Sequence, residues 1–240
     1  GMGGHIYPLP PTGYGGVERV GAWWCDELSR RGHDVRIFGH PQSTCAHAGA
    51  IVPCYAQSDA DGFGPSYRAQ GDDLDIIHHN SDALPSPAMW TRANGEARPF
   101  VHTVHACVWH REVPCPVFLS HNQARWFGMT DDDDYQVAHN GFPIEQFTVQ
   151  RDKEDFLLWC GSLRGCKAPE MAVQLAEETG ERLLIIGPIQ DSKYTDYPQR
   201  FAPGRGRIEY LGEMGNARLD YFRRAKAFLY TCSPDWMEGM

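Results

Sequence analysis

In the second half of the chain, strand-like and helix-like segments alternate with little between them, and this constrains the fold more than any other feature. Residues 156–160 read as a strand, 169–179 as a helix, 182–186 and 207–211 as strands, 217–225 as a helix and 227–231 as a strand. A cationic loop from Gly161 to Lys167 follows the first of these strands. Gly187-Pro188 and Gly212-Glu213 close the next two, and an acid, Glu238, comes last. Asn216 is placed to cap the second helix. Residues 187–206 read as an irregular Tyr/Pro/Gly-rich connection. Parallel strands joined by helices form a sheet covered on both faces.

The first half follows the same rule less regularly. Residues 5–9 read as a strand, followed by the loop Pro10-Pro11-Thr12-Gly13-Tyr14-Gly15-Gly16 and a helix over about 17–31. Val17, Val20, Trp24 and Leu28 recur at helical spacing, and Gly32 ends the helix. Strand-like runs then fall at 35–38, 51–55, 74–78, 100–105, 117–120 and 135–138. A polar break over 147–155 separates the halves, so we expect an N-terminal Rossmann-like domain over 1–148 and a C-terminal one over 149–240. Asp131–Asp134 is most simply a solvated acidic turn.

The net charge of −9, without a polybasic tract, excludes the basic face that a duplex nucleic acid requires. No apolar run approaches the ~20 residues that span a bilayer. Eight cysteines are scattered without a Cys-x-x-Cys pair, and the start is polar. Reduced cysteines in a cytoplasmic enzyme are expected.

The common nucleotide motifs are absent. Glu18 stands where a dinucleotide fold needs its third glycine, the strand over 35–38 leads into Gly39-His40 rather than an acid, and the glycine–lysine spacing at 161–167 is wrong for a P-loop. There is no zinc-protease or serine-hydrolase signature either. What remains is Gly15-Gly16 opening a helix directly after a strand. Two residues without β-carbons let the backbone approach a ligand, and the free N–H groups of a first helical turn favour an anion. A tight turn that binds nothing is the plain alternative.

The ordered set of motifs is more specific. Pro10-Pro11-x-x-Tyr14-Gly15-Gly16-Val17-Glu18-Arg19-Val20, then Leu28-x-x-Arg31-Gly32-His33-Asp34-Val35, resembles the N-terminal signature of glycosyltransferase family 4, which has the GT-B fold. Thr103-Val104-His105, Val137-Ala138-His139-Asn140-Gly141, Gly161-x₅-Lys167, Tyr210-Leu211-Gly212-Glu213 and Asp235-Trp236-Met237-Glu238 follow in the family's order. The resemblance implies two Rossmann-like domains facing a cleft. It also implies a nucleotide-diphosphate sugar as donor substrate, no cofactor and no metal, and transfer with retention to a glycan, lipid or small-molecule acceptor.

By this resemblance Lys167 acts on the departing diphosphate, His105 contacts the donor sugar, and Glu238 holds sugar hydroxyls. Gly15, Gly16, Gly161, Ser162, Arg164, Gly187, Pro188, Gly212, Glu213 and Met214 belong with the donor. The family usually has an arginine where this chain has Ser162, and Arg164 stands near enough in sequence to substitute. His139 and Asn140 either line the acceptor side or form an ordinary turn.

The second acid of the family's Glu-x₇-Glu pair would fall beyond Met240. The second domain is therefore expected to be incomplete, with an exposed sheet edge covered by self-association, or the chain to be a fragment of a longer reading frame. Two rival readings follow. One is a non-catalytic protein that binds a nucleotide or glycan. The other is a zinc-binding α/β protein using the cluster from His102 to Cys115, although His102 and His105, three apart on a strand, point to opposite faces.

Overall fold

A computed structural model describes residues 7–45, 49–53, 73–80, 85, 87–92, 94–105 and 109–233. The chain divides into two compact units. Of the described residues, one unit holds those up to Pro11 and from Gly15 to Phe142, and the other holds Thr12–Tyr14 and those from Pro143 to Ser233.

The first unit begins with α1 (Gly16–Arg30), followed by β1 (Arg36–Gly39) and β2 (Ala50–Pro53), a parallel pair. β3 (Ile77–His79), β4 (Phe100–Val104), β5 (Pro116–Phe118) and β6 (Gln136–Val137) form a parallel sheet in chain order, with α2 (His121–Trp126) between β5 and β6. Its core gathers Ile77, Met89, Phe100, Val104, Trp109, Phe118 and Ala124.

Two expectations need correction here. His5 and Ile6 of the strand expected at 5–9 lie outside the described residues, and Tyr7–Leu9 carry no strand. Leu9 N–H instead donates to Ser43 Oγ at 3.0 Å, and Thr44 N–H donates to Leu9 O at 2.7 Å. On α1 the buried face is Val20, Gly21 and Ala22, while Leu28 is exposed.

The second unit is more regular. β7 (Glu154–Cys160), β8 (Leu183–Ile186), β9 (Ile208–Tyr210) and β10 (Ala225–Leu229) form a parallel sheet ordered β10-β7-β8-β9. Side chains alternate along a strand, so a sheet covered on both faces needs apolar residues at successive positions. Leu157, Trp159, Leu183 and Ile185 pack on one face with α3 (Pro169–Thr179) and α4 (Tyr197–Arg200). Phe156, Leu158, Leu184 and Ile186 pack on the other with Tyr221 and Phe222 of α5 (Arg218–Arg224).

Local chemistry sets the ends of α3. Pro169 occupies the first turn, where its missing N–H costs nothing, and Gly180 closes the helix in the left-handed region at φ 71°. The segment read as irregular contains α4, held by the burial of Tyr194, Tyr197 and Phe201. Ala217, not Asn216, sits at the cap position of α5 and makes no side-chain capping bond.

Candidate functional site

In the second unit, three strand ends converge at their carboxyl edge, where open α/β sheets bind ligands. Gly161 follows β7 and its N–H donates to Ile186 O at 3.0 Å; Gly187 follows β8 and its N–H donates to Gly212 O at 2.9 Å. Gly187 adopts φ 148°, and a β-carbon there would fall on the Gly161 carbonyl. Gly212, at φ 78°, turns the chain away after Leu211. Tyr210 OH donates to Gly187 O at 2.7 Å and closes the set.

The Lys167 loop is fastened to this edge. Leu163 N–H donates to Pro188 O at 2.8 Å, and Gln190 N–H donates to Leu163 O at 3.2 Å. The loop then makes a 3₁₀ turn over Gly165–Lys167. Lys167 Nζ lies 5.9 Å from the Tyr230 ring centroid, within cation–π range, and a β-carbon on Gly161 would meet its Cδ at 3.7 Å. The Thr231 hydroxyl is 2.8 Å from Lys167 O and 2.9 Å from Ala168 O, and it accepts from Trp159 Nε1–H at 2.8 Å. Neither Tyr230 nor Thr231 figures in the sequence motifs. They are distant in sequence and arrive through the pairing of β10 with β7.

Ser162 is fully buried, and its hydroxyl donates to Tyr14 OH at 3.3 Å. Arg164 is exposed at the start of the 3₁₀ turn. Glu213 Oε1 accepts the Tyr14 N–H at 2.5 Å, so this carboxylate holds the Thr12–Tyr14 segment that belongs to the same unit. Met214 packs against the Phe156–Leu158 face of the sheet. Glu238 lies outside the described residues.

The first unit holds the other candidates. Gly15 precedes α1 at φ 147°, where a β-carbon would press on Pro11 at 2.9 Å. A β-carbon on Gly16 would meet nothing within 4 Å, which leaves its backbone open to close approach. His139 and Asn140 are exposed after β6.

His105 follows β4 beside three other histidines. His78 Nε2 is 2.9 Å from Thr103 Oγ1, His79 Nδ1 is 2.9 Å from His102 Nδ1, and His105 Nε2 is 2.5 Å from Asn80 Oδ1. Trp24 of α1 stacks on His78 with ring centroids 4.8 Å apart. Burial holds all four imidazoles neutral. It depresses His78, and it pushes His79 down to about 3 and His102 and His105 to about 4, with histidine neighbours adding to the fall for His79 and His105. Among the described residues no three His, Cys, Asp or Glu side chains are grouped to hold a metal ion. His102 is turned to His79 instead, and Cys107 lies outside the described residues.

No protein-family model matches the chain, and no curated protein matches it. Among solved structures, it matches AviGT4, a glycosyltransferase involved in avilamycin A biosynthesis, with a TM-score of 0.75 and 27% sequence identity, over 97% of this chain and 68% of that one. The fold is that of a GT-B glycosyltransferase. A mutant of T4 phage BGT in complex with UDP-glucose matches at a TM-score of 0.48 and 12% identity, over 98% of this chain and 72% of that one, a likeness too remote to bear on function. Within the glycosyltransferase fold, the glycine-lined strand ends of the second unit form the most fully built candidate site. No helix among the described residues is long and apolar enough to cross a membrane.

Proposed function

We propose that the chain is a metal-independent, retaining glycosyltransferase that uses a nucleotide-diphosphate sugar. The observation that carries this reading is the carboxyl edge of the second unit. The Gly161 and Gly187 backbones meet there, with no room for a β-carbon on Gly187, and the Lys167 stem lies beside Gly161. Such an edge can admit a diphosphate against the main chain, and a fixed cation can offset the charge that develops as the diphosphate leaves. The bond from the anomeric carbon to the diphosphate oxygen breaks, and the bond to the acceptor oxygen forms on the same face. The acceptor's proton passes to the departing diphosphate. The order of motifs resembling family 4 supports retention, and Lys167 supplies a protein cation in the place a metal would take. His105 would receive a sugar hydroxyl. A glycan, lipid or small molecule in the cytoplasm is the expected acceptor class.

Release of nucleoside diphosphate from a panel of nucleotide sugars, with a chelator present, tests the reaction. Proton NMR of the glycosylated product reads the anomeric configuration. An inverted product removes retention, and release that needs a divalent ion removes metal independence.

One observation favours a second reading, a protein that binds the donor without turning it over. Ser162 is buried against Tyr14 where the family usually places an arginine, so the edge has one cation fewer. Saturable nucleotide binding without release from any donor supports that reading.

A further inference from the structure

The first unit contains a contact that the motifs do not announce. Asn80 directly follows β3, and His105 directly follows β4. The two strands pair in parallel with His79 opposite His102, which brings these two C-terminal positions to the same edge. There His105 Nε2 meets Asn80 Oδ1 at 2.5 Å.

Helix α1 is shaped around this pair. A β-carbon on Gly21 would stand 2.7 Å from Asn80 Nδ2 and 3.2 Å from Leu9 Cδ2. Gly21 is buried and costs helix propensity, of the order of 1 kcal/mol relative to alanine, so its smallness has to serve packing. One turn on, the Trp24 ring lies 6.1 Å from that of His105, tilted by 43°.

We propose that Asn80 is the positioning residue for His105, and that Gly21 is the gap in α1 that admits it. The side-chain carbonyl of Asn80 takes the Nε2 proton, fixes the ring's orientation and leaves Nδ1 as a lone-pair acceptor. An imidazole held in that form receives a hydroxyl and repels a phosphate oxygen, since two acceptors cannot share a proton that neither carries. Burial among His78 and His102 keeps the ring uncharged at neutral pH, which removes the one state in which it would bind an anion. The inference rests on the proposed function for the ligand of His105, but the Asn80–His105 contact is independent of it.

The test is nitrogen-15 NMR of the whole chain with labelled imidazoles and no nucleotide present, the His105 signals being assigned by their loss in His105→Gln. The wild type should show Nε2 protonated and Nδ1 bare at neutral pH. Asn80→Ala and Gly21→Ala should each lose that pattern to an average of the two tautomers, with the His79 and His102 signals retained. Asn80→Asp preserves size but places a carboxylate on the ring, and should move the His105 titration up by about 1–3 pH units. Inorganic phosphate should leave the wild-type His105 signals in place. An unchanged tautomer in Asn80→Ala, an unmoved titration in Asn80→Asp, or a phosphate-induced shift of His105 overturns the proposal. Because none of these readouts involves a donor sugar, they separate failure of this contact from failure of the transferase reading.

Discussion

Gly187 and Gly161 meet backbone to backbone, with the carbonyl of Gly161 standing where a β-carbon on Gly187 would be. Neither chain is free to give way, because Gly161 N–H is bonded to Ile186 and Gly187 N–H to Gly212. Gly187→Ala would add an overlap to a φ of 148° that L-residues avoid. We expect a loss of about 2–4 kcal/mol in urea unfolding, larger than for an ordinary surface change. A loss below about 0.5 kcal/mol would show that the two strand ends are not locked as described.

Thr231 ties β10 to the Lys167 loop by accepting from the buried Trp159 indole and reaching the Lys167 and Ala168 carbonyls. Thr231→Val keeps the shape and removes the hydroxyl, leaving the indole N–H unpaired. A destabilisation of about 1–3 kcal/mol is expected, together with weaker nucleotide binding as the loop loosens. Unchanged stability and unchanged binding would argue that the loop is set by the Leu163 contacts alone.

Part of this edge was legible in the sequence because its requirements are local. Gly187 and Gly212 stand at strand ends with a positive φ that favours glycine, Gly161 lies beside Gly187, and Pro169 and Gly180 mark α3 by the chemistry of helix termini. What was not legible depended on partners far along the chain. Asn80 and His105 meet only because β3 and β4 pair, and Thr231 reaches Lys167 only because β10 lies beside β7. α4 was missed because four residues carry no periodicity of their own, and the buried tyrosines rather than propensity hold it. Leu28 fits the helical spacing of α1 but lies outside its buried face.

The histidines predict the pH response of stability. His79 and His102 are buried and neutral, with values of about 3 and 4 against an ordinary 6.5. Between those limits the unfolded chain binds more protons than the folded one, so stability is full above pH 6.5 and falls as the pH drops. Each histidine should contribute a slope of about 1.4 kcal/mol per pH unit. His105, held down to about 4, and His78, also depressed by burial, add to the same fall between pH 6.5 and about 5. Glu209, depressed because Arg182 and the Gly204 amide outweigh its burial, retains its contribution until the pH falls through the usual carboxylate value of 4.5. Urea midpoints that stay flat over this range would contradict the buried, neutral histidines.

Lys167 should matter to turnover, since its stem lies beside Gly161 at the carboxyl edge and its ammonium lies 5.9 Å from the Tyr230 ring centroid. If the proposed reaction holds, Lys167→Met should lower kcat by roughly 10²–10³, the scale of losing one preorganised charge-stabilising group. A fall confined to KM would assign the side chain to ground-state binding instead.

If the proposed function holds, the carboxyl edge of the second unit binds a nucleoside diphosphate on backbone groups and Lys167. Calorimetric titration of the chain and of Lys167→Ala with UDP, GDP and ADP, with and without a chelator, tests it most directly. Saturable binding of one nucleotide is expected, indifferent to the chelator and weakened at least about tenfold by the substitution, the equivalent of one lost charge-assisted contact. No binding of any of the three, or equal affinity in the Lys167→Ala chain, would contradict it.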